Sequence, residues 1–221
     1  MEKTKKIIIL GGEGNGGVIA NAIADANKRG YKEWECVGFL NDRYAIGTEI
    51  DSFKVLGALK DVPKFLELGY YFINAILRID NQRERISMIN DLGIPDSKFA
   101  TFVHPTAYVA PNTKLGPGCV IMPLVAVSSN TTFGKGCIVM VSATIGHDNK
   151  IGDYCHIAAQ ACVGSFLTIG VGAHIGLNST IRENLVIGKY ATLGMGAVLT
   201  KNIGDQEIWA GVPAKFLRKA D

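Results

Sequence analysis

His147 and Asp148 are adjacent in the sequence and could act together as a general base. A neutral imidazole can accept a proton near neutral pH, and a neighbouring carboxylate can fix the tautomer of the ring and stabilise the imidazolium that forms. A surface histidine that happens to precede a surface aspartate would have the same sequence. The residue types alone therefore leave both interpretations open.

Two further histidines, His156 and His174, are eighteen positions apart. Side by side they could bind a metal ion, but zinc normally requires three or four protein ligands. We therefore expect no metal at this pair, and His174 could equally be a corner residue without chemistry. The fourth histidine, His104, precedes Pro105 and is interpreted as structural.

A six-residue repeat runs from Val103 to about Gly204 and must position three of these histidines. Glycine often follows the apolar residue of each repeat, and a mostly small residue comes four positions after it. Seventeen consecutive repeats carry a bulky apolar residue: Val103, Val109, Leu115, Ile121, Val127, Phe133, Val139, Ile145, Ile151, Ile157, Val163, Ile169, Ile175, Ile181, Ile187, Leu193 and Leu199.

A period of six fits neither an α-helix nor a plain strand, so with these glycines it predicts short strands separated by tight corners. Three strands per turn would give a β-helix with coils of eighteen residues, about 4.8 Å apart. In this register His147 points away from the interior, and His156 stacks on His174. The small inward positions include Cys119, Cys137 and Cys155, which should form one buried column rather than a metal site.

The first hundred residues alternate between strand and helix patterns, as expected for a small Rossmann-like α/β domain. The predicted strands are Lys3–Leu10, Glu35–Leu40 and Tyr71–Leu77, and the predicted helices are Val18–Lys28 and Asn81–Leu92. About 100 residues supply too little sheet for a dinucleotide enzyme, so we expect a nucleotide-linked ligand rather than NAD.

A glycine loop, Gly11 to Gly17, joins the first strand to the first helix. Such a loop lets backbone N–H groups approach a phosphate at a helix N-terminus, although it could also be only a tight turn. The candidate substrate-binding residues come from this loop and from the end of the second strand: Gly12, Gly14, Asn15, Gly16, Asn41, Asp42 and Arg43.

The composition argues against membrane and nucleic-acid partners. Hydrophobic residues make up 48% of the chain, yet no apolar run approaches the roughly 20 residues of a membrane span. The net charge is +3 and the basic residues are scattered, so no basic stripe is available for a phosphate backbone. Five cysteines without metal-finger spacing, and no secretory signal pattern, favour the reducing cytoplasm.

Taken together, these features resemble the bacterial sugar O- and N-acetyltransferases of the PglD and NeuD type. The resemblance covers nearly all of the chain. It rests on the glycine loop, the Asn41-Asp42 turn, the hexads, the segment from Gly146 to His156, and the ending Gly211-Val212-Pro213-Ala214-Lys215.

The resemblance implies an α/β domain over residues 1–100 and a left-handed parallel β-helix over residues 101–221. It also implies a homotrimer with acetyl-CoA in a groove between adjacent coils, at subunit interfaces, and a nucleotide-linked amino sugar held by the α/β domain. No metal cofactor is implied.

The same resemblance assigns roles to individual residues. His147 would be the general base, oriented by Asp148, and His156 would contact acetyl-CoA near its reactive end. Backbone N–H groups of Gly164 or Ser165 would stabilise the oxyanion. The turn that contains Gly211, Pro213 and Lys215 would border the adenine end of CoA.

The sequence departs from the family in two places, both in the acceptor domain. Asn15 stands where the family often has histidine, and Asn41-Asp42 where it often has two acidic residues. The sugar and its nucleotide (UDP, GDP or dTDP) therefore stay open. We expect an N-acetyltransferase for a 4-amino sugar; a sialic-acid-type O-acetyltransferase is the alternative, and a non-catalytic or metal-binding β-helix protein is a third reading.

Overall fold

The computed structural model describes residues 4–77 and 79–220. The first part is a five-stranded sheet built from β1 (Lys5–Leu10), β2 (Trp34–Leu40), β3 (Glu49–Ile50), β4 (Phe53–Gly57) and β5 (Tyr71–Asn74). Its order is β3-β4-β2-β1-β5, and all neighbours are parallel except β3 and β4. Residues 7–10 of β1 are fully buried, as expected for a central strand covered on both faces.

Two helices connect these strands, α1 (Asn15–Lys28) and α2 (Val62–Glu67), and α3 (Gln82–Asp91) follows the last strand, β5. Helix α1 begins three residues earlier than predicted, within the glycine loop. The glycines permit this early start because α1 lies close beneath the β3-β4 hairpin, where a Cβ on Gly17 would collide with the Asp51 carboxylate.

The sequence patterns did not predict two elements of this part, and they predicted a third, β5, to be longer than it is. The β3-β4 hairpin and α2 were not predicted, because their apolar runs are too short for a clear period. Strand β5 ends at Asn74, not at Leu77, since the Asn74 Oδ1 accepts the Ile76 N–H (3.0 Å) and turns the chain.

The second part is a parallel β-helix, which confirms the prediction from the six-residue period. Its seventeen rungs, β6 to β22, are two residues each: Phe102–Val103, Tyr108–Val109, Lys114–Leu115, Val120–Ile121, Ala126–Val127, Thr132–Phe133, Ile138–Val139, Thr144–Ile145, Lys150–Ile151, His156–Ile157, Cys162–Val163, Thr168–Ile169, His174–Ile175, Thr180–Ile181, Val186–Ile187, Thr192–Leu193 and Val198–Leu199.

Every third strand pairs in parallel, so the coil has three sheets as faces. We call them the His147 face (β7, β10, β13, β16, β19, β22), the His156 face (β6, β9, β12, β15, β18, β21) and the third face (β8, β11, β14, β17, β20). A hairpin of β23 (Glu207–Ala210) and β24 (Lys215–Lys219) extends the His156 face. This C-terminal hairpin was not predicted.

The interior of the coil is a stack of apolar columns. The three cysteines form one of them, as predicted: Cys119, Cys137 and Cys155 are fully buried, and each thiol donates to a glycine carbonyl on the next coil, at 3.0 to 3.1 Å. Burial raises the pKa of the Cys137 thiol well above its usual range. Cys162 is exposed on the His147 face and does not fill the core.

The two parts contact each other through polar side chains. His104 is buried; its Nε2 lies 3.1 Å from the Asp25 carboxylate of α1, and its Nδ1 lies 2.8 Å from the Thr106 hydroxyl. The Tyr154 hydroxyl donates to Asn90 of α3 (2.8 Å). No helix within residues 4–77 and 79–220 is long and apolar enough to cross a membrane.

Candidate functional site

His147 lies at a corner of the coil, directly after β13, with its side chain about half exposed (46%). Its Nδ1 lies 2.7 Å from Oδ2 of Asp148, whose backbone is left-handed (φ 57°). Because the carboxylate can only accept, Nδ1 of the neutral ring carries the proton and Nε2 is left as the proton acceptor. The predicted pairing of His147 with Asp148 is therefore present in the structure.

The next coil fixes the position of His147 from one side. The His147 N–H donates to the Ser165 hydroxyl (3.1 Å), and the ring meets the Phe166 ring edge to face, with 5.0 Å between centroids and an interplanar angle of 88°. An imidazole held by a carboxylate, an aromatic ring and its own backbone is restricted to one orientation.

A ladder of side chains positions Asp148 from the other side. Asn130, one coil away, donates through Nδ2 to Oδ1 of Asp148 (3.2 Å), and Asn112 donates to Oδ1 of Asn130 (2.5 Å). Sequence reasoning missed both asparagines. The signal was available, because residues 112, 130 and 148 are each eighteen apart.

A buried asparagine inside the coil holds the two corners that carry His147 and Ser165. Asn149 is fully buried and donates through Nδ2 to the carbonyls of Gly146 (2.8 Å) and Gly164 (2.9 Å). Its Oδ1 accepts the Leu167 N–H (2.8 Å). It occupies the inward position of its hexad that is small in most others, and the sequence analysis did not single it out.

His156 and His174 lie on the His156 face, stacked on adjacent coils as predicted. Their rings are nearly parallel (7°), with 4.9 Å between centroids and 3.1 Å between the two Nδ1 atoms. Burial lowers the pKa of His156 to about 3, with the neighbouring His174 contributing, and burial lowers the pKa of His174 to about 4. Both rings are therefore neutral at physiological pH.

These two histidines line a cavity of about 600 Å³. Its other walls are apolar or small, and the C-terminal hairpin closes one side: Ile79, Met140, Ala158, Ala159, Gly176, Leu177, Leu193, Gly194, Met195, Ile208, Ala210 and Leu217. At its edge, Arg218 makes two hydrogen bonds with the Asp80 carboxylate (3.0 and 2.9 Å). Such an apolar lining suits an alkyl chain better than a sugar.

A second cavity, of about 450 Å³, lies at the carboxyl ends of β1, β2 and β5. It contains five of the seven predicted substrate-binding positions: Gly12, Gly14, Asn41, Asp42 and Arg43. The structure adds Arg85 and Met88, one turn apart on α3, which no motif indicated.

Two of the predicted loop residues lie elsewhere. Gly16 is buried in the first turn of α1, where a Cβ would be 3.6 Å from the Ala75 Cβ, so it packs the helix on the sheet and does not line the cavity. Asn15 lines the cavity of the His156 face, with its Nδ2 3.3 Å from Nε2 of His156. Asn15 is thus the contact between the glycine loop and the coil.

Asn41 and Asp42 shape the loop as well as line the cavity. Asn41 donates to the Gly11 carbonyl (3.1 Å) and accepts the Arg43 N–H (2.8 Å). Asp42 accepts the Leu59 N–H (2.7 Å). At the mouth, the Tyr44 hydroxyl donates to the Glu13 carboxylate.

Several residues assigned to CoA do not meet in one chain. Gly164 and Ser165 lie beside His147, on a different face from His156. The Gly164 N–H donates to the Ile181 carbonyl (3.0 Å) within the coil, so of the two expected oxyanion donors Ser165 is the one that stays a prediction. Gly211, Pro213 and Lys215 belong to the turn and first residue of the C-terminal hairpin, outside the walls of the 600 Å³ cavity.

Among residues 4–77 and 79–220, no three His, Cys, Asp or Glu side chains are grouped so that they could hold a metal ion. His156 and His174 instead contact each other. The pair therefore offers a hydrogen-bonding site, with no third ligand nearby.

A β-helix of hexapeptide repeats that follows an α/β domain is also the fold of solved bacterial acetyltransferases. Among solved structures, the chain is similar to the acetyltransferase domain of PglB from Neisseria gonorrhoeae, with 28% identity over 97% of this chain and 100% of that one and a TM-score of 0.83. That domain has also been solved with acetyl coenzyme A.

Two more distant structures share the fold. PerB from Caulobacter crescentus, solved with CoA and GDP-perosamine, has 24% identity over 98% of this chain and 99% of that one, with a TM-score of 0.82. WeeI from Acinetobacter baumannii has 23% identity over 97% and 100%, with a TM-score of 0.76. No protein-family model matches the sequence, and no curated relative matches it. The predicted resemblance and the predicted enzyme class, an acetyltransferase, are confirmed by these structures.

Proposed function

We propose that this protein transfers acetyl from acetyl-CoA to the amine of a nucleotide-linked 4-amino sugar. The observation that carries the proposal is the arrangement of two different cavities on either side of Asn15. One is apolar and lined by a neutral histidine pair; the other is formed by a glycine loop and polar strand ends. The likeness to a domain solved with acetyl coenzyme A supports the assignment of the first cavity.

The pantetheine arm of CoA lies in the apolar cavity, with its thioester near His156. The nucleotide lies in the glycine-loop cavity, where the N-terminus of α1 and the two arginines, Arg43 and Arg85, favour its phosphates. Asp42 is the residue placed to accept hydrogen bonds from ribose or base. The sugar then extends from the glycine loop towards Asn15 and the thioester.

His147 acts as the general base through Nε2. The sugar amine attacks the thioester carbonyl carbon as His147 takes a proton from the nitrogen, and a C–N bond forms. The tetrahedral intermediate collapses with cleavage of the C–S bond, and the departing CoA thiolate takes the proton from the imidazolium. Asp148 stabilises the imidazolium in between, and the Ser165 N–H is the candidate donor to the oxyanion.

The site requires a second copy of the chain. His147 and His156 lie on different faces of the coil, so one subunit supplies His147 and Ser165, and its neighbour supplies His156 and the apolar cavity. We therefore propose a homotrimer of left-handed β-helices with three sites at the interfaces. The turn with Gly211, Pro213 and Lys215 is proposed to border the adenine end of CoA.

A thiol-release assay tests the function. Purified protein is given acetyl-CoA and a panel of UDP-, GDP- and dTDP-linked 4-amino sugars, with the matching 4-hydroxy sugars as controls. Turnover with one amine and not with its hydroxyl counterpart supports the proposal. Turnover with hydroxyl acceptors alone would instead assign an O-acetyltransferase.

His147→Ala is the matched control for the chemistry. Since His147 is an exposed corner residue, the variant should fold and bind CoA as the wild type does, but lose turnover about a hundredfold or more. Near-normal turnover of this variant would remove His147 from the role of base.

A further inference from the structure

We infer that His174 is a positioning residue, which fixes the tautomer of His156 and so decides whether His156 offers a donor or an acceptor to the acyl group. The inference rests on the proposed acetyl-CoA site. Its basis is a chain of three side chains: Asn15, His156 and His174.

Both ring nitrogens of His156 have a partner. Nε2 lies 3.3 Å from the Asn15 amide, and Nδ1 lies 3.1 Å from Nδ1 of His174. Because the ring is neutral, only one of its nitrogens carries a proton. One of the two contacts must therefore be donated by His156, and the other must be accepted by it.

The Nδ1···Nδ1 contact couples the two rings. A hydrogen bond between these atoms needs a proton on one of them and a lone pair on the other. When His156 carries its proton on Nδ1, His174 must accept there and carry its own proton on Nε2. When His174 donates from Nδ1, His156 carries its proton on Nε2. The two neutral rings are thus always in opposite tautomers.

Asn15 can serve either arrangement, because a half-turn of its amide exchanges the nitrogen for the oxygen. With the amide nitrogen towards His156, Nε2 accepts, and the acyl oxygen finds no donor on this ring. With the oxygen towards His156, or with a thioester carbonyl in its place, Nε2–H donates. The second state is the one that can hold a thioester, and it exists only if His174 donates from Nδ1.

The residues around His156 and His174 keep the two rings in a buried environment. The pair is flanked along its face by Ile138 on one coil and by Thr192, which is buried, on another. The charged group in the cavity wall is Arg218, which is held by Asp80. Burial disfavours a second proton on either ring, so the protein can set only which nitrogen of each ring carries the proton.

The first test is nuclear magnetic resonance on the full-length protein labelled with ¹⁵N at histidine. The chain has four histidines, so long-range ¹H–¹⁵N correlations resolve each ring and report which nitrogen is protonated. We expect His156 and His174 in opposite tautomers, and His156 as Nε2–H once acetyl-CoA is added. His104, which contacts Thr106 and Asp25, is the internal reference. The same tautomer on both rings would overturn the inference.

The second test compares two substitutions. His174→Leu removes the partner, so His156 should become a mixture of tautomers and kcat should fall about tenfold. His174→Asn keeps an amide near the position of Nδ1 that can still donate to Nδ1 of His156, so His156 should again be Nε2–H once acetyl-CoA is added, with kcat within about threefold of wild type. Equal losses in both variants, or an unchanged His156 spectrum in His174→Leu, would overturn the inference.

The nuclear magnetic resonance spectra do not require turnover, so the positioning role of His174 and the proposed function can be contradicted independently. Opposite tautomers without turnover on any acceptor would contradict the proposed function. Turnover with an unchanged His156 in His174→Leu would contradict the positioning role alone. If His174→Leu does not fold, the wild-type spectrum and His174→Asn still decide between the outcomes.

Discussion

Asn130 donates a hydrogen bond to the Asp148 carboxylate from one coil away (3.2 Å), on the side opposite to His147. It thereby restricts the carboxylate that orients the base. Asn130→Ala should lower kcat about three- to tenfold, because the lost bond frees Asp148 to rotate. Steady-state kinetics measure the change. Asn112→Ala is the matched control, since it removes a ladder bond but leaves the Asn130 contact; an equal loss in both variants would mean that the ladder acts only on stability.

Asn149 should matter for stability and for catalysis at once. Asn149→Leu copies the residue found eighteen positions on, Leu167, but leaves the Gly164 carbonyl without its side-chain donor and the Gly146 carbonyl with only the Thr131 hydroxyl. We expect a loss of about 1 to 3 kcal/mol in the free energy of unfolding, together with a lower kcat because the corner of His147 loosens. Urea unfolding and kinetics are the two measurements. Full stability in Asn149→Leu would show that water replaces the amide.

The coil could be predicted from the sequence because each position of the six-residue repeat occurs seventeen times. Single exceptions therefore do not hide the pattern. The outward direction of His147 and the stacking of His156 on His174 followed from it. Asn130 and Asn149 were missed because we read the repeat for its apolar and small positions, not for polar columns. Gly16, Asn15 and Arg85 could not be placed, since their surroundings depend on how α1 and α3 pack on the sheet and the coil.

Mixed trimers should reveal whether the site is shared between subunits. His147→Ala and His156→Leu should each be inactive alone. Trimers that contain both variants should recover about a third of wild-type activity, because one of their three interfaces pairs an intact His147 with an intact His156. Activity of tandem-affinity-purified mixed trimers is the measurement. No recovery would place both histidines of a site in the same subunit.

A substitution in the glycine-loop cavity should not change the binding of acetyl-CoA in the apolar cavity. Asn41→Ala removes the bond to the Gly11 carbonyl that holds the glycine loop. We expect the KM for the sugar nucleotide to rise about tenfold and the KM for acetyl-CoA to stay unchanged, since the two ligands occupy different cavities. A parallel rise in both constants would indicate that the loop also shapes the CoA groove.

Acid should destabilise the protein through the histidine pair. The pKa of each ring is lowered in the folded state, to about 3 and about 4, from about 6.5 in the unfolded chain. The unfolded chain therefore binds more protons below pH 6.5, and stability falls as the pH drops from about 6.5 towards 4, by about 1.4 kcal/mol per unit for each histidine. Urea unfolding at several pH values measures the slope. His174→Asn should reduce the slope by about half, and an unchanged slope would mean that other groups cause it.

Equivalent positions of the coil recur every eighteen residues. The number of residues from the first strand of the coil therefore determines the face on which a residue lies. The corner residues with a left-handed backbone, such as Asn130 and Asp148, follow the same spacing. A deletion of one residue before β13 would shift the phase of every later rung, moving His147, His156 and His174 off their faces together. An insertion of a whole coil between β15 and β18 would keep the phase but separate His156 from His174. Between β13 and β18, even a single residue added or lost should therefore abolish activity.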